Sequence, residues 1–424
     1  MKFWETFKQI FTLPDLRKRI LYAVSLLVIV RVLAHIPLPG VNIDELRNFF
    51  GRNQIFGLLN MFSGGSMQNF SVIMMGVGPY ITSSIIFQLL GMVIPSLEEL
   101  QKEGEAGQEK INYWTRILTV PLAIVQSFAM LSLLKSQGIV SSWTPFQLIT
   151  MIISITACTI LLMWLGELIS ENGIGNGVSL IITLGIIAGL PTQVRNTLAV
   201  LDTSKIIGLI IYGIIALGVI VLIVLVNEGQ RQIPVSYARR IRGLKAYGGV
   251  DTHLPIRVNT GGVIPIIFAM SIMLFPGVIA KYFTQAKAAW LAGTATYVSN
   301  LFSNNWFYGI LYFVLVIAFT FFYTGIILKP DQIAENLQKQ GGFVPGVRPG
   351  TETSNYLSGI ISRINLTGAV FLGVIAVLPF IVQAVTHINT LVVGGTGVLI
   401  MVSVIIETMR QIQAQLVMRQ YEAY

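Results

Sequence analysis

The sequence predicts an all-α membrane protein of ten transmembrane helices in two inverted halves of five. Three observations carry that reading: a shortage of charge, ten apolar stretches of bilayer length, and a lopsided distribution of Lys and Arg. Of 424 residues, 54% are hydrophobic and only 11% charged, whereas a soluble domain usually carries about 25% charged residues. Mean hydropathy is +0.73.

A membrane helix needs about 20 mainly apolar residues. The first such stretch, 20–37, follows an amphipathic start, MKFWETFKQIFTLPDLRKR. That start is too polar for a signal peptide and has no small-residue cleavage site, so it reads as a helix lying on the membrane surface. The second, 71–94, belongs to a run from Asn53 to Leu97 without a single Asp, Glu, Lys or Arg. The remaining spans fall at 115–134, 146–168, 177–194, 205–226, 262–282, 308–328, 361–383 and 391–409. Positive residues favour the cytoplasmic side. With the N-terminus inside, 20 of the 28 Lys and Arg fall on inner segments and seven on outer ones, so both termini are expected in the cytoplasm.

Five spans on each side of the short outer loop near 195–204 divide the chain into 1–194 and 195–424. An odd number per half gives the halves opposite topology, as in an inverted repeat. Two inner loops, about 227–261 and 329–360, are long, polar and rich in Gly and Pro, which suggests hairpins or turns projecting into the cytosol.

The membrane part lacks the residues of several function classes. Arg31 is the one charge well inside a span, with Glu167 and Glu407 near cytoplasmic ends. Intramembrane charges mark ion and proton pathways, so this shortage counts against an inverted-repeat transporter for a small solute. No phosphate loop, H-E-x-x-H or G-x-S-x-G motif occurs, no Ser–His pair or pair of aspartates sits at span depth, and His35, His253 and His387 are scattered. An enzyme is not expected, nor a metal or other cofactor. ENGIGNG, 171–177, reads as a tight inner turn between spans four and five.

Aliphatics spaced to share a helix face do recur: Val77 with Ile81 in span two, Val178 with Ile182 in span five. Small and polar residues flank them, and spans seven and ten also mix glycine with β-branched residues. Glycine lets helices approach closely, and apolar side chains meeting at a narrow point can shut a pore by excluding water. Such side chains are also ordinary helix-packing residues, and spacing alone leaves the two readings open.

Five segments, NMFSGGSMQNFSVIMMGVGPYITSSIIFQLL, KEGEAGQEKINYWTR, ENGIGNGVSLII, GGVIPIIFAMSIMLFPG and GGFVPGVRPGTETSNYL, resemble the SecY family in order and spacing. The resemblance runs from about Phe11 to Tyr421. It implies a clam-shell around an hourglass pore, the central channel of a protein translocase in the bacterial cytoplasmic membrane. Such a channel passes unfolded secretory polypeptides across the membrane and releases transmembrane helices sideways through a lateral gate. The pore ring would fall on Val77, Ile81, Val178, Ile182, Ile267 and Ile400. A plug of about 57–70 would include Asn60, Phe62, Ser63, Gly64, Gly65 and Ser66, the last four a flexible element facing water. Irregular backbone is tolerated at membrane depth where protein shields it or a water-filled cavity lies beside it. The lateral gate would include Thr82, Gln88, Ser271 and Phe275, with Gln88 pairing across the seam. Arg231, Arg239, Arg240, Arg242, Lys245 and Arg348 would meet the ribosome or the motor ATPase SecA, which supplies the ATP hydrolysis. The further partners implied are SecE, SecG, signal peptides, precursor chains and membrane lipids, with SecDF and YidC as additional candidates.

Overall fold

A computed structural model of the protein describes residues 13–39, 46, 66–67, 69–136, 143–199, 206–237, 240–242, 245–247, 252–284, 288–386 and 395–422. A helix lies in each of the ten expected spans. These are α1 (Pro14–Leu33), α2 (Gly78–Val93), α4 (Glu105–Ser136), α5 (Pro145–Asn172), α6 (Gly177–Ala199), α7 (Ile206–Glu228), α8 (Ile264–Phe283), α10 (Asn305–Ile327), α12 (Thr351–Thr386) and α13 (Gly395–Glu422). Three further helices were not expected: α3 (Pro95–Lys102), α9 (Ala289–Ser303) and α11 (Pro330–Lys339). Among the described residues five stretches are individually long and apolar enough to cross a membrane, and α2 with α3 makes a sixth, bent by 104°. The chain is a membrane protein.

Proline sets many of the starts. α1, α2, α3, α5, α8 and α11 each carry Pro in the first turn, where its missing N–H costs nothing and its fixed φ suits the helix. Ile94, before Pro95, is extended, as steric crowding by the following ring requires, and there the chain turns from α2 into α3. α5 begins with a reciprocal capping box between Thr144 and Gln147.

Span two begins later than expected. Residues 72–77 are turns, and the helix starts at Gly78, not at Ser71. The preceding segment pairs with the end of span one: the Leu38 N–H donates to the Phe70 carbonyl (2.7 Å) and the Val72 N–H to the Ile36 carbonyl (3.0 Å). Phe70 and Gly76 take positive φ of 45° and 54°, which bends the chain out of any helical path before Pro79.

The turn at 173–176 is as tight as ENGIGNG suggests. Gly175 has φ +85°, and its N–H donates to Gln411 Oε1 on α13 (2.9 Å). Ser170 Oγ and Asn176 Oδ1 accept from the N–H groups of Gly177 and Ser179, satisfying donors that a helix start leaves open.

The two long polar loops fold as one unit. β1 (Gln230–Tyr237) pairs antiparallel with β4 (Thr252–Arg257) and, across more than one hundred residues, with β5 (Gly342–Phe343). β2 (Arg240–Arg242) and β3 (Lys245–Tyr247) form a hairpin between β1 and β4. Pro255 lies on the edge strand β4, where a missing donor is tolerated. Ile233, Ile256, Ala334, Val344, Leu357 and Ile361 bury a small core between sheet, α11 and the start of α12.

Three larger apolar clusters fill the membrane part. One draws on residues 38–155, one on 215–406, and the third joins α1, α2, α5 and α6 to Ile400 and Val404 of α13. Within the third, a Cβ on Gly177 would lie 1.9 Å from the Gly166 carbonyl oxygen, so α5 and α6 touch backbone to backbone. Gly177→Ala is therefore expected to push these helices apart. The lone Cys158, half-buried on α5 beside this cluster, should be alkylated at a lower temperature on heating; an unchanged profile would contradict the close approach.

Candidate pore and seam

Val77 caps the start of α2 and is 3% exposed, with Ile81 one turn further on. Ile182 on α6 and Ile400 on α13 are 4% and 1% exposed. Val77, Ile81, Val178, Ile182 and Ile400 all belong to one contiguous apolar cluster. Ile267 is half-buried on α8, and Val263, one turn before it, is the residue that joins this cluster from that side. A cavity of about 20 Å³ lies beside them, lined by Arg31, Ile73, Gly76, Val77 and Ile181 among others. That is room for one water at most.

Of the expected plug, Asn60, Phe62, Ser63, Gly64 and Gly65 lie outside the described residues. Ser66 does not face water. It is 0% exposed, its hydroxyl donates to the Ile73 carbonyl (3.1 Å) and its carbonyl accepts from the Ser71 N–H (3.0 Å). This end of the stretch is fastened to the start of span two.

The surface between α2 and the pair α8–α10 is an apolar seam. Ile81, Ile85 and Leu89 follow one another at i, i+4 and i+8, a single helix face. They pack in one cluster with Ile264 and Phe268 of α8 and Phe319, Tyr323 and Ile326 of α10. The Phe268 ring meets Phe319 and Tyr323 edge-on at 6.0 and 5.9 Å, a favourable aromatic geometry. Thr82 accepts from Gln126 Nε2 on α4 (3.5 Å) and donates to the Gly78 carbonyl (3.0 Å). Gln88 Nε2 donates to Ser84 Oγ on its own helix (3.2 Å), not across the seam as expected. Ser271 is half-buried on α8; Phe275 lies on the same helix.

The side-chain hydrogen bonds between helices beside the seam lie on one side of it or the other. Arg116 on α4 bonds Glu167 on α5 (2.7 Å). Asn227 at the end of α7 donates to Ser403 on α13 and accepts from Asn259, both at 2.7 Å. Thr324 on α10 donates to Asn365 on α12 (2.8 Å). On α3, Glu98 pairs with Lys102 (2.9 Å). That hydrogen bond, the Lys102 charge and the Lys329 charge beyond α10 hold its carboxyl below the ordinary carboxylate range. The pair is therefore intact at neutral pH and is lost as pH falls through that lowered pKa.

Of the basic residues, Arg231 is exposed on β1 and Arg348 exposed after β5, its carbonyl accepting from Thr353 Oγ1 (2.8 Å). Arg240, Arg242 and Lys245 lie in β2 and β3, and Arg239 falls outside the described residues.

A family model, SecY, matches residues 71–409, which takes in every ring and seam position above. The chain belongs to the SecY family. It is 41% identical to protein translocase subunit SecY of Mycobacterium bovis, over 97% of each chain. It is 40% identical to that of Streptomyces galbus, over 99% of each. Among solved structures it is similar to "The structure of a protein conducting channel", with a TM-score of 0.62 at 20% identity, over 93% of this chain and 91% of that one. It is also similar to Sec61 in the canine ribosome–channel complex from the endoplasmic reticulum, with a TM-score of 0.59 at 20% identity. The ten-helix fold is that of these channels.

The apolar seam stripe was not singled out in the sequence, although its signal, aliphatics four apart at 81, 85 and 89, is plain there. Phe268→Ala is expected to remove about 3–5 kcal/mol of packing and to let ions leak through the SecY-family chain in a planar bilayer without substrate. A conductance equal to the parent's would contradict a seam that closes the wall.

Proposed function

We infer that this chain is the pore-forming subunit of a bacterial protein translocase, conducting unfolded secretory polypeptides and releasing transmembrane helices into lipid. The observation that carries the reading is the pairing of one apolar cluster with one apolar seam. Val77, Ile81, Val178, Ile182 and Ile400 share the first, and with Ile267 they are proposed as the ring. Side chains without charge or hydrogen-bonding groups grip no particular sequence, so any extended chain can pass while water and ions are excluded.

The seam between α2 and α8–α10 is proposed as the lateral gate, with Thr82, Gln88, Ser271 and Phe275 along it. Its contacts are aliphatic and aromatic. An apolar signal helix, with a core of about 7–15 residues, offers α2 an equivalent partner, so its binding shifts a closed-to-open equilibrium. The halves proposed to part are 1–194 and 195–424, and the stretch of about 57–70 is proposed as the plug, anchored by its Ser66 end to the start of span two.

The Lys and Arg asymmetry supports the cytoplasmic membrane with both termini inside. The sheet unit then faces the cytosol. Arg239, Arg240, Arg242 and Lys245 lie within seven residues of sequence at its tip, a basic cluster that suits an anionic partner. Ribosomal RNA and SecA are the proposed partners of this tip, of Arg231 and Arg239, and of Arg348. SecE and SecG are proposed as further subunits, SecDF and YidC as additional candidates, with SecA supplying ATP hydrolysis.

Photo-crosslinkers at Ile81, Ile267 and Phe275 test this reading, using a stalled precursor in membranes that contain SecA. The mature chain should crosslink at Ile81 and Ile267 and the signal helix at Phe275. Failure at all three positions with SecA ATPase intact would overturn the ring and gate, and saturable uptake of a small solute would point to a transporter instead.

A further inference from the structure

The helix α9 joins the ends of the two gate-side spans, α8 and α10, and neither the pore nor the seam uses it. No Asp, Glu, Lys or Arg occurs between Lys287 and Lys329, so α9 and α10 form one uncharged stretch. One face of α9 is packed. Ala295 is 7% exposed, and Phe302 lies over Gly277 of α8, 3.9 Å from where a Cβ would stand. Phe302 also meets Phe307 of α10 edge-on at 5.8 Å.

The opposite face is open. Trp290 and Tyr297 are seven residues apart, two helical turns, and are 73% and 68% exposed. Gly293, Thr294, Thr296 and Asn300, also exposed, surround them. Thr294 and Thr296 return their hydroxyls to the Trp290 and Ala292 carbonyls, four residues back. The face is thus aromatic, small and neutral, with its polar groups partly spent on its own backbone. Immediately after α9, Trp306 in the first turn of the membrane-crossing α10 is 77% exposed.

A bare aqueous face normally carries charge, and a face packed against the rest of this chain would not leave two large rings open. Trp and Tyr concentrate where bilayer meets water, ring in the acyl boundary and polar edge among the headgroups. We propose that α9 lies in the lipid headgroup layer, with Trp290 and Tyr297 in the bilayer boundary and Trp306 marking the same level on α10. The occupant is the lipid surface, because the face is continuous with a helix whose surroundings are already lipid. Through Phe302 on Gly277, this anchor is fixed to the gate helix α8. That the leaflet is the outer one rests on the orientation proposed above.

Trp290 fluorescence tests the proposal in the full chain, with the other five tryptophans replaced by Phe and the protein in vesicles of brominated phosphatidylcholine. Emission should be quenched more by bromines placed near the headgroup than by deep ones, and only weakly by aqueous iodide. Iodide quenching like that of free tryptophan, with no effect of bromolipid, would overturn it. Should the five replacements prevent folding, a nitroxide at position 297, introduced by Tyr297→Cys with Cys158→Ser, gives the same answer. It should collide more with oxygen than with a water-soluble nickel chelate, and the reverse order would overturn the proposal. Both readouts are made without substrate, so their failure leaves the crosslinking test of the pore untouched. Labelling of the same cysteine by an impermeant reagent on intact cells reports the side of the membrane separately.

Discussion

Inside a bilayer each backbone N–H and C=O must find a partner within the protein, because no water is available. This constraint accounts for the helical membrane part, and it explains how the described irregular stretch before span two is built. Between Ser66 and Val77 the backbone turns, yet Leu38 and Val72 pair across to Phe70 and Ile36, and Ser66 closes on Ile73 and Ser71. The irregular stretch is satisfied by the end of span one, not by solvent. Span two can therefore begin with Val77 already buried in the apolar cluster.

The distribution of polar contacts follows from the same constraint. Hydrogen bonds and ion pairs join helices on one side of the seam: Arg116 with Glu167, Asn227 with Ser403, Thr324 with Asn365. Two polar residues of α2 likewise turn to their own side, Gln88 to Ser84 and Thr82 to Gln126. The contacts across the seam are those of Ile81, Ile85 and Leu89 with Phe268 and its neighbours. Apolar contacts are non-directional, so another apolar helix, or lipid, replaces them without leaving a polar group unpaired. A seam closed by buried hydrogen bonds would strand donors each time it parted, at about 1–3 kcal/mol apiece.

The ten spans were legible because hydropathy reports membrane-thick apolar stretches. Their ends were not, because helices run on beyond the hydrocarbon. α4 starts at Glu105 and not near 115, α12 at Thr351 and not near 361, and α13 ends at Glu422 and not near 409. Conversely, span two starts seven residues late, about two helical turns, where residues 70–72 pair with 36–38, which no local pattern encodes. The sheet that zips the two loops together was equally hidden, since β5 contributes two residues and its partner lies over one hundred positions away. At the site, the i, i+4 pairs at 77/81 and 178/182 were readable as one face each. That they share a cluster with Ile400 depends on how α13 packs against α6. Gln88 and Thr82 stood out as polar residues on an apolar helix, but composition does not say which way a side chain turns, and both turned inward to their own half.

The most direct test of the central claim is the distance between α2 and α10 across the seam, read by double electron–electron resonance. Spin labels would replace Met92 and Ile327, both exposed, in a Cys158→Ser chain reconstituted in lipid. If an apolar helix opens the seam by taking its place, a signal-bearing precursor should lengthen the distance by about 8–10 Å, the spacing of packed helices. A precursor whose signal helix carries a central arginine should leave it unchanged. A distance that stays fixed while the precursor crosslinks to Ile81 would contradict the account, and the chain would then have to pass the pore without parting α2 from α8 and α10.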